Sequence, residues 1–193
     1  MKKELSTRII GGKYKGKKLL LPQKEVTRSS KNILREALFN ILQFDIVDKN
    51  FVEVFGGSGS VGLEALSRGA KRVYFIEKNR DSYKVLKKNV QNCDESSCLV
   101  RYGDAFELLW DIIEELKRNK EKAYFYFDPP FSIREGYEDI YDEVAQTIKK
   151  IPKEVVESII IEHMSTHDFG NSLGKYNKEK TKKYGKSSLS FYQ

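Results

Sequence analysis

Asp128, Pro129, Pro130 and Phe131 follow the apolar run at 124–127 and share one chemical use. The amino group of a nucleobase is a poor nucleophile because its lone pair is delocalised into the ring. An enzyme that alkylates it must draw that pair out of the ring. The Asp128 carboxylate and the Pro129 carbonyl can each accept one N–H, while the two prolines stiffen the loop that carries these acceptors. Phe131 can stack on a base turned out of its helix. Once alkylated, the nitrogen loses its proton readily, so no general base of shifted pKa is required. The plainer alternative is a Pro-Pro turn that merely ends a strand.

A second group of residues points to a cofactor. The run Phe51-Val-Glu-Val-Phe-Gly-Gly-Ser-Gly-Ser-Val-Gly62 reads as a strand, a glycine turn and the start of a helix. Doubly wound sheets bind nucleotides at such turns, where glycine lets the backbone approach the ligand. Phe55, Gly56, Gly57, Ser58 and Gly59 are the expected lining. Glu77 ends the next strand beside Lys78 and is placed to accept from a ribose diol. That pair fits NAD and S-adenosylmethionine equally. Glu53 separates them, because an acid ahead of the glycines suits the ammonium of a methionine moiety and adds nothing to a pyrophosphate site. Asp104 is placed to accept from an adenine amino group, with Ala105 offering its backbone N–H. A helix N-cap is the competing use of Asp104. The expected cofactor is S-adenosylmethionine.

Positioning these groups calls for alternating strands and helices. The pattern predicts strands at 51–55, 72–76, 98–102, 123–127 and 157–162, with helices at 60–68, 80–92, 104–118 and 136–150, hence a parallel sheet with right-handed crossovers. Two further strands about Tyr184-Gly185 make a terminal antiparallel hairpin. The expected fold is thus α/β, Rossmann-like, with a mostly parallel seven-stranded sheet. Ahead of it, residues 8–21 read as a β-hairpin ended by Pro22. Ile33, Leu34, Ala37, Leu38, Ile41 and Leu42 mark an amphipathic helix over 30–44, behind a Ser29/Ser30 cap, whose apolar stripe should pack on the domain. The division expected is a basic extension at 1–28 and a catalytic domain at 29–193.

The 193 residues suit one domain, and 39% hydrophobic with 33% charged residues is ordinary for a globular protein. No apolar run could span a bilayer, and the N-terminal residues lack a signal peptide's apolar stretch, so a cytoplasmic protein is expected. Cys93 and Cys98 read as unpaired thiols. The net charge of +7 is uneven. Residues 1–50 carry 12 Lys and Arg against 5 acids, 51–170 carry 17 against 22, and 171–193 carry 6 against 1. Basic ends around an acidic middle suit chemistry in the middle and phosphate binding at the ends, in particular by Lys13, Lys15, Lys17 and Lys18. His163 and His167 lack a third ligand, so no metal site is expected. Trp110, Tyr102 and the aromatics of 124–127 are expected in the core.

Several stretches together resemble a known family. They are Arg8-Ile-Ile-Gly-Gly-Lys-Tyr-Lys-Gly-Lys-Lys-Leu, Arg35-Glu-Ala-Leu-Phe-Asn40, Phe55-Gly-Gly-Ser-Gly-Ser-Val-Gly-Leu-Glu-Ala-Leu66, Ile76-Glu77, Asp128-Pro-Pro-Phe131 and the closing Phe191-Tyr-Gln. These look like the bacterial small-subunit (16S) rRNA guanine-(2-amino)-methyltransferases, of the class I S-adenosylmethionine-dependent type. The glycine turn and Asp-Pro-Pro-Phe occur in many base-amino methyltransferases, and the N-terminal stretches narrow the resemblance. It implies S-adenosylmethionine as donor and one guanine of 16S rRNA as acceptor, within a small-subunit assembly particle. A monomer is expected, with Arg8, Arg28 and Arg35 joining the four lysines against RNA. The segment Arg28-Ser-Ser-Lys-Asn-Ile-Leu-Arg35 departs from the family, with Ser29 in place of a proline, Asn32 of an acid and Ile33 of an arginine. Competing functions are a DNA amino-methyltransferase and a noncatalytic RNA-binding protein on the same fold.

Overall fold

The computed structural model describes residues 5–23, 28–131, 136 and 139–193, with the side chains of 28–30 outside that description. The chain divides into two compact units, Met1–Leu109 and Trp110–Gln193.

The first unit opens with β1 (Ser6–Arg8) and β2 (Lys18–Leu20), antiparallel with Ser6 opposite Leu20. The expected hairpin is present, but its strands are short and residues 9–17 form a folded loop, closed by Ile9 N–H to the Lys17 carbonyl (3.0 Å) and Gly16 N–H to the Ile9 carbonyl (2.8 Å). Helix α1 (Arg28–Ile41) buries Leu34, Leu38 and Phe39. Its apolar stripe is narrower than the sequence suggests, because Ile33 is 58% exposed. The Ser29/Ser30 cap lies outside the described side chains. Then come β3 (Asn50–Glu53), α2 (Ser60–Ser67), β4 (Arg72–Glu77), α3 (Arg80–Cys93) and β5 (Cys98–Tyr102). The strands pair in parallel as β5-β4-β3, with Phe51 opposite Val73 and Phe75 opposite Val100. Phe51, Val52, Val73, Tyr74, Phe75 and Ile76 are fully buried, as parallel strands covered on both faces require. Helix α4 (Ala105–Asn119) carries the chain across the boundary.

The second unit holds β6 (Ala123–Phe127), α5 (Ile140–Lys150), a 3₁₀ turn (Lys153–Val155), β7 (Val156–Met164), β8 (Ser172–Leu173), β9 (Tyr176–Tyr184) and β10 (Ser187–Tyr192). Helix α5 starts later than the 136 expected; Gly136 lies in a turn, and residues 137–138 lie outside the described ones. The strand order is β6-β7-β10-β9-β8. Strand β6 is parallel to β7, whereas β10 and β9 form the terminal antiparallel hairpin. Beyond the β1–β2 hairpin the described residues carry eight strands, β3 to β10, one more than expected, because the two-residue β8 pairs with β9. All of β6 is buried, and Tyr124, Phe125, Tyr126 and Phe127 are core as expected. Tyr102 is not, being 54% exposed at the end of β5, while Trp110 is half-buried. Among the described residues no helix is long and apolar enough to cross a membrane.

Candidate functional site

In the first unit the glycine turn is held in shape by two carboxylates. Buried Glu53, the last residue of β3, accepts the Gly62 N–H at 2.8 Å and so ties β3 to the first turn of α2. Half-buried Glu77 accepts the Gly57 N–H at 2.7 Å and the Asn79 N–H at 2.6 Å. Burial pushes its carboxyl up, against the backbone N–H groups of Asn79, Gly57 and Lys78 and the Lys78 charge, which hold it down. Gly59 adopts φ +77°, and a side chain there would meet Leu86 at 2.4 Å, so only glycine serves. Buried Ser58 passes its carbonyl to Asn89, and Gly56 N–H bonds the Ile76 carbonyl at 2.7 Å. Phe55 is half-buried and sits edge-on to Phe106, ring centres 5.8 Å apart.

Asp104 does take the capping role, accepting the Phe106 N–H at 2.9 Å at the start of α4, where Ala105 is buried. Its other oxygen lies 3.5 Å from the Lys78 ammonium. Glu53, Glu77 and Asp104 therefore stand at the carboxyl ends of three strands adjacent in the sheet. A carboxylate offers about four lone-pair positions, so the backbone bonds at Glu77 and Asp104 leave room for further donors. The set could hold a cofactor bearing an ammonium, a vicinal diol and an aromatic amine.

In the second unit Asp128 leaves β6 half-buried, followed by buried Pro129 and half-buried Pro130 and Phe131. Sequence reasoning missed a neighbour, Tyr141 on α5. Burial pushes its phenol up, aided by the Asp128 and Glu162 charges and opposed by the Met164 N–H that its oxygen accepts at 2.9 Å. No spacing signal marks Tyr141. His163 is buried in β7 and its ring bonds the Ser190 hydroxyl at 2.8 Å and the Met164 carbonyl at 2.9 Å. His167 packs on Tyr141 and Phe169, each ring 4.5 Å away. Among the described residues no group of three or more His, Cys, Asp or Glu could hold a metal ion.

The candidate RNA-binding residues divide. Arg8, Lys13, Lys15 and Lys18 are exposed and Lys17 half-buried, Lys13 and Lys17 lying over the Tyr14 ring at 5.0 and 5.4 Å. The Arg8 guanidinium donates to the Gly16 carbonyl at 2.7 Å. Arg35 is a correction. It is 4% exposed and donates to the Arg8 carbonyl (2.7 Å), the Ser60 carbonyl (3.3 Å) and Asn32 (3.2 Å), so it joins parts of the protein and is closed to a phosphate. Arg28 opens α1, and its side chain lies outside the described residues.

Glu64 and Asn89 were also missed, and they fasten the hairpin. Fully buried Glu64 accepts the Ile10 and Gly11 N–H groups, each at 2.8 Å, and pairs with Arg68 at 2.9 Å and Arg35 at 3.7 Å. Fully buried Asn89 accepts the Leu20 N–H (2.8 Å) and donates to the carbonyls of Leu20 (2.9 Å) and Ser58 (2.8 Å). A lone acid in the apolar Ser60-Val-Gly-Leu-Glu-Ala-Leu-Ser67 was the available signal for the first.

Comparison with known proteins gives the class. The chain matches a solved Escherichia coli protein described as methyltransferase yhhF with a TM-score of 0.76 over 97% of each chain, at 27% identity. It matches a Haemophilus influenzae protein described as a methylase with a TM-score of 0.69 over 97% of this chain and 98% of that one, at 26% identity. The fold is that of the class I methyltransferases. A family model described as conserved hypothetical protein 95 matches residues 7–193, and the chain belongs to that family. In sequence it is 36% identical over 124 residues to ribosomal RNA small subunit methyltransferase D of Escherichia coli K12, a match covering 64% of this chain and 60% of that protein. The relative of that name from Haemophilus influenzae is 36% identical over 127 residues, 64% of this chain and 63% of its own length. The chain thus spans less than two thirds of the length of these curated relatives.

Proposed function

We propose that this protein transfers a methyl group from S-adenosylmethionine to the exocyclic 2-amino group of a guanine in 16S rRNA. The observation that carries the chemistry is Asp128 at the carboxyl end of the wholly buried β6, followed at once by Pro-Pro-Phe. The names of the relatives support the choice of RNA. Glu53 would meet the cofactor's ammonium, Glu77 its ribose diol, and Asp104 with the Ala105 N–H its adenine edge. Phe55, Gly56, Gly57, Ser58, Gly59 and Lys78 would line its path. When bound, the cofactor supplies an electrophilic methyl carbon. The Asp128 carboxylate and the Pro129 carbonyl hold one N–H each of the target amino group and turn its lone pair out of the ring. Pro130 keeps those acceptors in place, and Phe131 stacks on the base. The nitrogen sheds its surplus proton along the hydrogen bond to Asp128.

The acceptor is 16S rRNA in an assembling small-subunit particle, met by a cytoplasmic monomer. Residues 1–28 grip the RNA through Arg8, Lys13, Lys15, Lys17 and Lys18, and residues 29–193 carry out the transfer. Two measurements test this. Calorimetry should find S-adenosylmethionine or its demethylated product bound, and NAD binding in their place overturns the cofactor. Labelled methyl transfer into small-subunit rRNA from a strain lacking the corresponding enzyme should yield N2-methylguanosine on digestion. Label in adenine or cytosine overturns the acceptor.

A further inference from the structure

We infer that the exposed face of α3 is a second RNA-contact surface, a basic stripe edged by tyrosines that continues the hairpin's grip toward Glu77. This rests on the RNA substrate proposed above. The helix carries Arg80, Lys84, Lys87 and Lys88 against a single acid, Asp81. At 3.6 residues per turn these cations fall within an arc of about 100°, facing away from the buried Leu86, Asn89 and Val90. All four are exposed, and among the described residues none has an ion pair or side-chain hydrogen bond. Elsewhere the exposed Lys78 does have such a partner in Asp104, as half-buried Lys117 has in Glu114. Helix α4 shows the mixed signs of a merely solvated face, with Glu107, Asp111, Glu114 and Glu115 beside Lys117 and Arg118.

Aromatic rings stand at both ends of the stripe. At its start Tyr83 packs on Tyr102, ring centres 4.9 Å apart, and the 54% exposed Tyr102 lies opposite Glu77 in the sheet register. At its end the Tyr14 hydroxyl donates to Asp94 at 3.2 Å, with Lys13 and Lys17 over that ring. The hairpin's lysines therefore sit by the C-terminus of α3, whereas Glu77 precedes its N-terminus. At 1.5 Å per residue, Arg80 to Asp94 spans about 21 Å. RNA held by the hairpin and presenting a base to a cofactor at Glu77 must cross that distance, and the stripe lies along it. Unpaired cations in a row take successive phosphates, and an exposed ring takes a base.

The test compares the full chain with Lys84→Gln/Lys87→Gln/Lys88→Gln and with Tyr102→Ala, measuring binding of transcribed 16S rRNA over a range of salt concentrations. The triple variant should bind at least tenfold more weakly at low salt, with the slope of log affinity on log salt reduced by about 2, from ~0.7–0.9 for each phosphate no longer neutralised. Binding of S-adenosylhomocysteine should be unchanged. Tyr102→Ala should weaken RNA binding without altering the slope, since stacking releases no counterions. If the triple variant keeps the wild-type affinity and slope while neutralising Lys13, Lys15, Lys17 and Lys18 reduces both, α3 is only a solvated face and the RNA substrate stands. If the wild type binds neither the transcript nor isolated small-subunit particles, both fall.

Discussion

At the scale of single residues, Asp128 bears the sharpest consequence. Asp128→Ala removes one of two preorganised acceptors and should lower kcat on the order of 100-fold, about 3 kcal/mol of transition-state stabilisation. Calorimetric binding of S-adenosylhomocysteine should be kept, because the acids assigned to the cofactor stand at the carboxyl ends of β3, β4 and β5. Asp128→Asn should be milder, its amide oxygen still accepting. Phe131→Ala should instead raise KM by removing a stacking interaction of about 1–3 kcal/mol, and steady-state methyl transfer separates the two. The strand-end places of Asp128 and Glu77 were legible, because an apolar run that stops at an acid marks where a buried strand emerges. Arg35 was misread because its partners, the carbonyls of Arg8 and Ser60, are distant in sequence and backbone acceptors leave no trace in residue type. Tyr102 was misread the other way, since a strand-end aromatic looks apolar whether or not a helix covers it.

At the scale of elements, Glu64 decides whether the hairpin stays in place. Glu64→Ala would leave the Ile10 and Gly11 N–H groups unsatisfied and Arg35 buried without its carboxylate, a loss of about 3–5 kcal/mol. Urea unfolding measures it. The β7–β10 pair carries a pH dependence. Burial holds the His163 imidazole below its ordinary 6.5, against the raising effect of its bond to Met164. The unfolded chain therefore takes up the proton first as pH falls. Stability from this group is complete above 6.5 and is lost below it. The melting temperature should fall between pH 7 and 5, and fall less in His163→Gln. Strands β5 and β6 were read from the sequence with the bounds they have, because each is a run of five residues rich in aliphatic or aromatic side chains set between polar turns. The two residues of β8 were not, since a segment so short has no period. The late start of α5 was hidden because 136–139 looks as polar as a helix surface.

Across the molecule, charge and chemistry are segregated. Neutralising Lys13, Lys15, Lys17 and Lys18 should weaken RNA binding uniformly across sequences and flatten its salt dependence by up to ~0.7–0.9 for each phosphate left without its lysine, while cofactor affinity stays constant. Equilibrium binding at several salt concentrations checks this, and an unchanged slope would place the RNA elsewhere. The two thiols have a practical consequence for such work. Burial chiefly, with the charges of Asp94 and Cys93 nearby, pushes Cys98 up to about 12, and burial likewise raises Cys93. Only a thiolate attacks a maleimide, so both cysteines are slow toward alkylation at neutral pH. A Lys15→Cys variant would place one fast-reacting sulfur on the exposed hairpin loop of an otherwise quiet background. A fluorophore attached there would report RNA arrival in real time, with neither native cysteine replaced.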